Sequence, residues 1–136
     1  MKKKLILVFT LLLVFTAGCG TSGPAADTEK SSPTFHQISQ EDAKEMMAKD
    51  DGHVVVDVRR QDEYDAGHIP GAILIPNESI GCDSPEALPD YDQIILVYCR
   101  SGNRSKQAAQ KLAGMGYTNI YEFGGITTWT GDVVTD

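Results

Sequence analysis

Ile94-Ile95-Leu96-Val97-Tyr98 is apolar on every consecutive residue and stops at once on Cys99-Arg100-Ser101-Gly102-Asn103-Arg104-Ser105. A strand with one wet face alternates; one without alternation is covered on both faces. The run His53-Val54-Val55-Val56-Asp57-Val58-Arg59 reads the same way and stops at Arg59-Arg60. Two such strands need helical layers above and below them. The chain is therefore constrained to an α/β fold, a small mainly parallel sheet with helices on both faces.

The rest of the chain fits this frame. Thr34 to Ile38 alternates like an edge strand. Ser39 is placed as an N-cap, with Glu41 and Asp42 in the first turn, for a helix from Gln40 to Lys49 that buries Ala43, Met46 and Met47 and ends at Gly52. Gln61 to Ala66 reads as a short helical turn, Gly67-His68-Ile69-Pro70-Gly71 as a tight turn, and Ala72 to Ile75 as a strand closed by Pro76. Asn77 to Asp90, with Pro85 and Pro89, is mostly irregular. Ser105 to Met115 predicts a helix with Ala108, Ala109, Leu112 and Met115 toward the sheet. Asn119 to Phe123 predicts a last strand, followed by Gly124-Gly125 and a turn bearing Trp129. Sites in such sheets form at the carboxyl ends of the strands. That puts Arg59 and Cys99 on one edge.

The N-terminus is a different kind of sequence. Lys2-Lys3-Lys4 precedes an apolar stretch, Leu5 to Phe15, that is too short to span a bilayer and is followed by Thr16-Ala17-Gly18-Cys19. Residues 1–18 therefore read as a signal peptide. The Ala17-Gly18-Cys19 ending resembles the bacterial lipoprotein signal, although Thr16 stands where that signal usually has leucine. The resemblance implies lipidation of Cys19 and a protein anchored outside the cytoplasm; an ordinary secretory signal is the alternative. Residues 19–33, rich in Ser, Thr, Gly, Pro and Ala, read as a tether, and 34–136 as one domain. Losing three lysines and no acids with residues 1–18 takes the formal net charge from −7 to −10. Such an acidic domain does not attract nucleic acid, and an anionic substrate needs a local cluster of positive groups.

That cluster is the loop after Val97-Tyr98. A cysteine between a strand and a helix N-terminus meets inward-turned amides and the positive end of the helix, which favour a thiolate. Only a thiolate combines softness with an accessible pKa for attack on sulfur. Ser101, Gly102 and Asn103 are small enough for their backbone N–H groups to form an anion nest, and Arg100 and Arg104 add fixed positive charge. The spacing of Arg59 and Glu63 suits a helical-turn ion pair. Cys82 is read as inert.

Asp57-Val58-Arg59, Glu63, Gly67-His68-Ile69-Pro70-Gly71-Ala72, Cys99 to Ser105, and Gly124-Gly125-Ile126 with Trp129 together resemble the single-domain rhodanese-like sulfurtransferases, over roughly Thr34 to Trp129. The resemblance implies a five-stranded, mainly parallel sheet and a Cys99 nucleophile. It implies substrate binding by Arg100, Ser101, Gly102, Asn103 and Arg104, and support of the loop by Asp57, Arg59, Glu63 and Ser105. Asp57 either anchors the loop or simply caps its strand. The implied reaction moves a sulfane sulfur from a small anionic donor such as thiosulfate, through a Cys99 persulfide, to cyanide or a thiol. It needs no metal or organic cofactor and works in a monomer. A sulfur-carrier or partner-binding module without turnover is the alternative. The gap between Cys99 and Arg104, C-x4-R, is one residue shorter than the C-x5-R of cysteine phosphatases, and favours sulfur over phosphoryl or arsenic chemistry. His68 is read as fixing its turn, and Trp129 and the two glycines as packing.

Overall fold

The computed structural model describes residues 34–136; the expected signal peptide, Cys19 and the expected tether lie outside them. The elements run β1 (His36–Gln37), α1 (Gln40–Met47), β2 (Val54–Asp57), α2 (Gln61–Asp65), β3 (Ile73–Leu74), a 3-10 turn (Asn77–Ser79), β4 (Ile94–Cys99), α3 (Asn103–Met115), β5 (Asn119–Gly125) and a second 3-10 turn (Ile126–Thr128). The five strands form one parallel sheet in the order β1-β5-β4-β2-β3. The apolar run before Cys99 is thus the central strand, flanked by β2 and β5.

Alternation along the strands divides the core in two. Val56, Val58, Ile95, Val97, Cys99 and Ile120 face Ala108, Ala109, Leu112 and Ala113 of α3. Val55, Leu96, Tyr98 and Phe123 face Ala43, Met46 and Met47 of α1, with Trp129. The small residues of α3 let that helix lie close on the sheet, so its first turn reaches the end of β4.

Several boundaries differ from the sequence expectation. The first helix ends at Met47, with Ala48 as C-cap, two residues before Lys49. Its capping box is present: the Ser39 hydroxyl accepts from Asp42 N–H, while Asp42 accepts from Ser39 N–H. Helix α3 starts at Asn103, two residues before Ser105. Strand β5 continues through Gly124 and Gly125. Both of the last two differences bring regular structure into the cysteine loop. Among the described residues, no helix is long and apolar enough to cross a membrane.

Candidate active site

Only Arg100, Ser101 and Gly102 separate the end of β4 from the start of α3. A reversal this short needs one residue outside the ordinary backbone regions, and Gly102, at φ 105°, supplies it. The bend turns the loop's amides back on the sulfur: Gly102 N–H donates to Cys99 Sγ at 3.0 Å. Burial pushes the Cys99 thiol up, but hydrogen bonds from the Ser105 side chain and from the N–H groups of Ser105, Gly102 and Ser101 together outweigh it. The thiol therefore ionises below its ordinary value, the condition for a nucleophile near neutral pH.

The loop is braced from β5. A Cβ on Gly125 would stand 2.1 Å from the Arg100 carbonyl oxygen, so no other residue fits beneath the loop there. That carbonyl accepts hydrogen bonds from Thr127 N–H at 3.2 Å and Thr127 Oγ1 at 3.0 Å. Gly125, expected only to pack, is thus part of the loop's foundation. The signal for it was the glycine pair itself, which leaves space for a close backbone approach.

Arg104, one residue into α3, is gripped by Glu63 of α2 through two hydrogen bonds of 2.7 Å. The Arg104 guanidinium holds the Glu63 carboxyl down at about 2. Two of the guanidinium's five N–H donors are used in this fork, which leaves others to meet an anion. The charge of Arg104 also senses the Cys99 sulfur and Glu78. Arg100, Ser101 and Asn103 lie exposed around the loop, Gly102 and Ser105 are buried within it, and Arg104 is half-buried.

The partners of Arg59 and Asp57 require correction. Arg59 does not pair with Glu63: it precedes Arg60, the N-cap of α2, so it lies outside the helix whose spacing suggested that pair. Instead its Nε donates to both Asp57 oxygens at 3.0 Å, and its Nη2 to Asp57 Oδ2 and to the Gly67 carbonyl at 2.7 Å each. Asp57 likewise accepts from Arg59 N–H at 2.9 Å. Its charge is taken up by Arg59, and neither the cysteine loop nor Arg104 is its partner. His68 stacks on Tyr64 at 3.8 Å between ring centres, its Nε2 lies 3.2 Å from Asp136 Oδ2, and its N–H donates to Val134 O. It fixes its turn and the C-terminal residues. Cys82 is exposed, and both it and Cys99 are free thiols.

One carboxyl escaped the sequence reading. Glu122 is buried on β5, with Oε1 2.6 Å from Ser105 Oγ. It stands in an apolar strand between Tyr121 and Phe123, and nothing in the pattern set it apart from a solvent-facing acid.

A parallel five-stranded α/β domain with a cysteine-to-helix anion loop at its carboxyl edge is a recognisable class. Residues 39–132 match the family model of the rhodanese-like domain, and the chain belongs to that family. It is 42% identical over 96 residues to a thiosulfate sulfurtransferase GlpE of Pseudomonas entomophila, covering 70% of this chain and 84% of the relative. It is 35% identical over 104 residues to the adenylyltransferase and sulfurtransferase UBA4 of Candida albicans, spanning 71% of this chain but 24% of that protein. Among solved structures, an E. coli rhodanese with anions superposes with a TM-score of 0.57 at 33% identity, over 62% of this chain and 99% of that one.

Proposed function

We propose that this protein is a thiosulfate or persulfide sulfurtransferase acting through Cys99. The observation that carries the reading is the Gly102 N–H aimed at Cys99 Sγ at 3.0 Å, in a loop that lowers the thiol's pKa beside the charge of Arg104. The names of the GlpE relatives support the same activity.

In the cycle, the Cys99 thiolate attacks the outer sulfur of thiosulfate. The sulfur–sulfur bond breaks and sulfite leaves with its electron pair, leaving a Cys99 persulfide. The N–H groups of Ser101, Gly102 and Ser105 then stabilise the terminal sulfur anion. Cyanide or a thiolate attacks that sulfur, and Cys99 departs again as the thiolate favoured by the same groups. Arg104 meets the donor's oxyanion with the N–H donors that Glu63 does not occupy.

The protein acts as a monomer, lipid-anchored through Cys19 outside the cytoplasm, and takes a small anionic donor. The N-terminal sequence supports that setting. The test of chemistry is thiocyanate formation from thiosulfate and cyanide by the reduced protein; a folded protein with free Cys99 that forms none overturns the reading. Mass spectrometry after thiosulfate exposure should find one added sulfur atom on the Cys99 peptide. For the anchor, metabolic lipid labelling should mark the wild type and not Cys19→Ser. Absence of label from both overturns lipidation.

A further inference from the structure

The cycle gives no part to Thr127, which stands in the second 3-10 turn, 27 positions beyond the carbonyl it binds. Both of its polar hydrogens go to that one oxygen: its N–H lies 3.2 Å and its Oγ1 3.0 Å from the Arg100 carbonyl. A carbonyl oxygen only accepts, so the direction of both bonds is fixed. The Arg100–Ser101 peptide is constrained in tilt as well. It lies flat against Gly125, where an added Cβ would stand 2.1 Å from the Arg100 oxygen, 2.4 Å from its carbon and 2.5 Å from the Ser101 nitrogen.

A trans peptide is planar, and its C=O and N–H point in opposite directions. With the plane seated on Gly125 and the carbonyl turned out to Thr127, the Ser101 N–H points the other way, into the loop. There the Gly102 N–H meets Cys99 Sγ at 3.0 Å, and Cys99 is the ladder partner of Gly125. The Ser101 N–H is one of the groups that pull the thiol down. A donor fixes a carbonyl only if its own backbone is held. Gln40, at the start of α1, donates from Nε2 to the Gly125 carbonyl at 2.9 Å and to Thr128 Oγ1 at 3.0 Å. Trp129 N–H closes the turn on the Ile126 carbonyl at 3.2 Å, and its ring packs on Phe123 at 5.6 Å between centres.

We propose that Thr127 is a positioning residue for the nucleophile: by holding the Arg100 carbonyl, it keeps the Ser101 N–H aimed at the sulfur of Cys99. Without the hydroxyl the peptide keeps only the Thr127 N–H as an anchor and is freer to rotate, so its own N–H meets the sulfur less of the time. The inference rests on Cys99 being the nucleophile, but its test needs no sulfur donor. A protein whose Cys99 responds as expected here, yet makes no thiocyanate, overturns the proposed activity alone.

The charged groups around the thiol are Arg104 of α3, with Glu63 of α2 and Glu78 of the first 3-10 turn beside it, Glu122 of β5 behind Ser105, and the exposed Arg100. Thr127→Val keeps the side chain's shape and its N–H and leaves all of these in place. Thr127 is itself exposed, so the change removes no core packing.

The test is the pH dependence of Cys99 alkylation by iodoacetamide in the full-length, reduced protein, read on the Cys99 peptide by mass spectrometry. Thr127→Val should move the thiol's titration upward by about half a unit, the scale of one weakened hydrogen bond. Thr127→Ser, which restores the hydroxyl, should return the curve to that of the wild type. A Thr127→Val curve that superimposes on the wild type, or a Thr127→Ser curve that moves with it, overturns the proposal. A second readout follows the amide itself by NMR. The Ser101 N–H resonance should shift as Cys99 titrates, and Thr127→Val should cut that shift by about half while sparing that of Gly102. Equal Ser101 shifts in both proteins overturn the proposal.

Discussion

Arg59 and Arg104 each meet a carboxylate through several hydrogen bonds, both beside the carboxyl edge of the sheet, yet their surroundings are opposite. Asp57 is fully buried and Arg59 nearly so, and the guanidinium also binds the Gly67 carbonyl and lies over the Tyr98 ring at 5.8 Å. Glu63 and Arg104 keep 18% and 26% of their side chains in contact with solvent. The first pair ties the end of β2 to the turn before β3. The second holds a guanidinium beside the Cys99 sulfur while leaving it approachable. One arginine fork is filled by protein in every other direction; the other keeps a direction open to solvent.

Ways to break this comparison differ widely in size. Cys99→Ala should abolish sulfur transfer while leaving both forks intact and changing stability by only about 1 kcal/mol, the scale of one buried atom lost; thiocyanate assay alongside urea unfolding checks both halves. Asp57→Ala leaves the buried Arg59 charge unpaired, and should cost about 3–5 kcal/mol in urea unfolding. A loss below about 1 kcal/mol would place that pair with the solvent-exposed kind. Arg104→Ala should raise KM for thiosulfate by about 10–100-fold, the worth of a charge-assisted hydrogen bond or two, and affect a neutral persulfide donor much less. Equal losses with both donors would remove its charge role.

The smallest effect is that of Glu63 on acid stability. Its folded pKa of about 2 lies below the ordinary 4.5, so its contribution is present above 4.5 and is lost as pH falls toward about 2. Glu63→Gln should flatten the acid limb of the stability curve in that window. The change should be below about 1 kcal/mol, because the pair is partly open to water. An unchanged slope in acid unfolding would show that Arg104 does not hold Glu63 in solution.

The strand, loop and helix around Cys99 were legible because they depend on local signals: an unbroken apolar run, a glycine able to turn, and alanines at helical spacing. The parallel sheet followed from two such runs. Pairings across the site were not legible, because they depend on where chain segments meet. Arg59 and Glu63 have ion-pair spacing, but Arg59 lies before the helix begins and bends back to Asp57. Glu63 reaches instead across 41 positions to Arg104. Glu122 carries no mark of its burial against the loop, since the serine it meets is 17 positions away in the chain. Gly125 was visible as a glycine, but the carbonyl that excludes a side chain there belongs to another element.

In β4 and β5 the ladder slips between Val97 and Cys99, so that Cys99 stands opposite Gly125 at the last rung. The sulfur's backbone is consequently part of the sheet, with no hinge between them. Opening that rung requires loosening the central strand of the sheet from one of its two inner neighbours. Amide exchange at the reactive end of the molecule should therefore follow the slow clock of the core, unlike that of ordinary surface loops. Substrates meet a site whose shape lasts as long as the fold does.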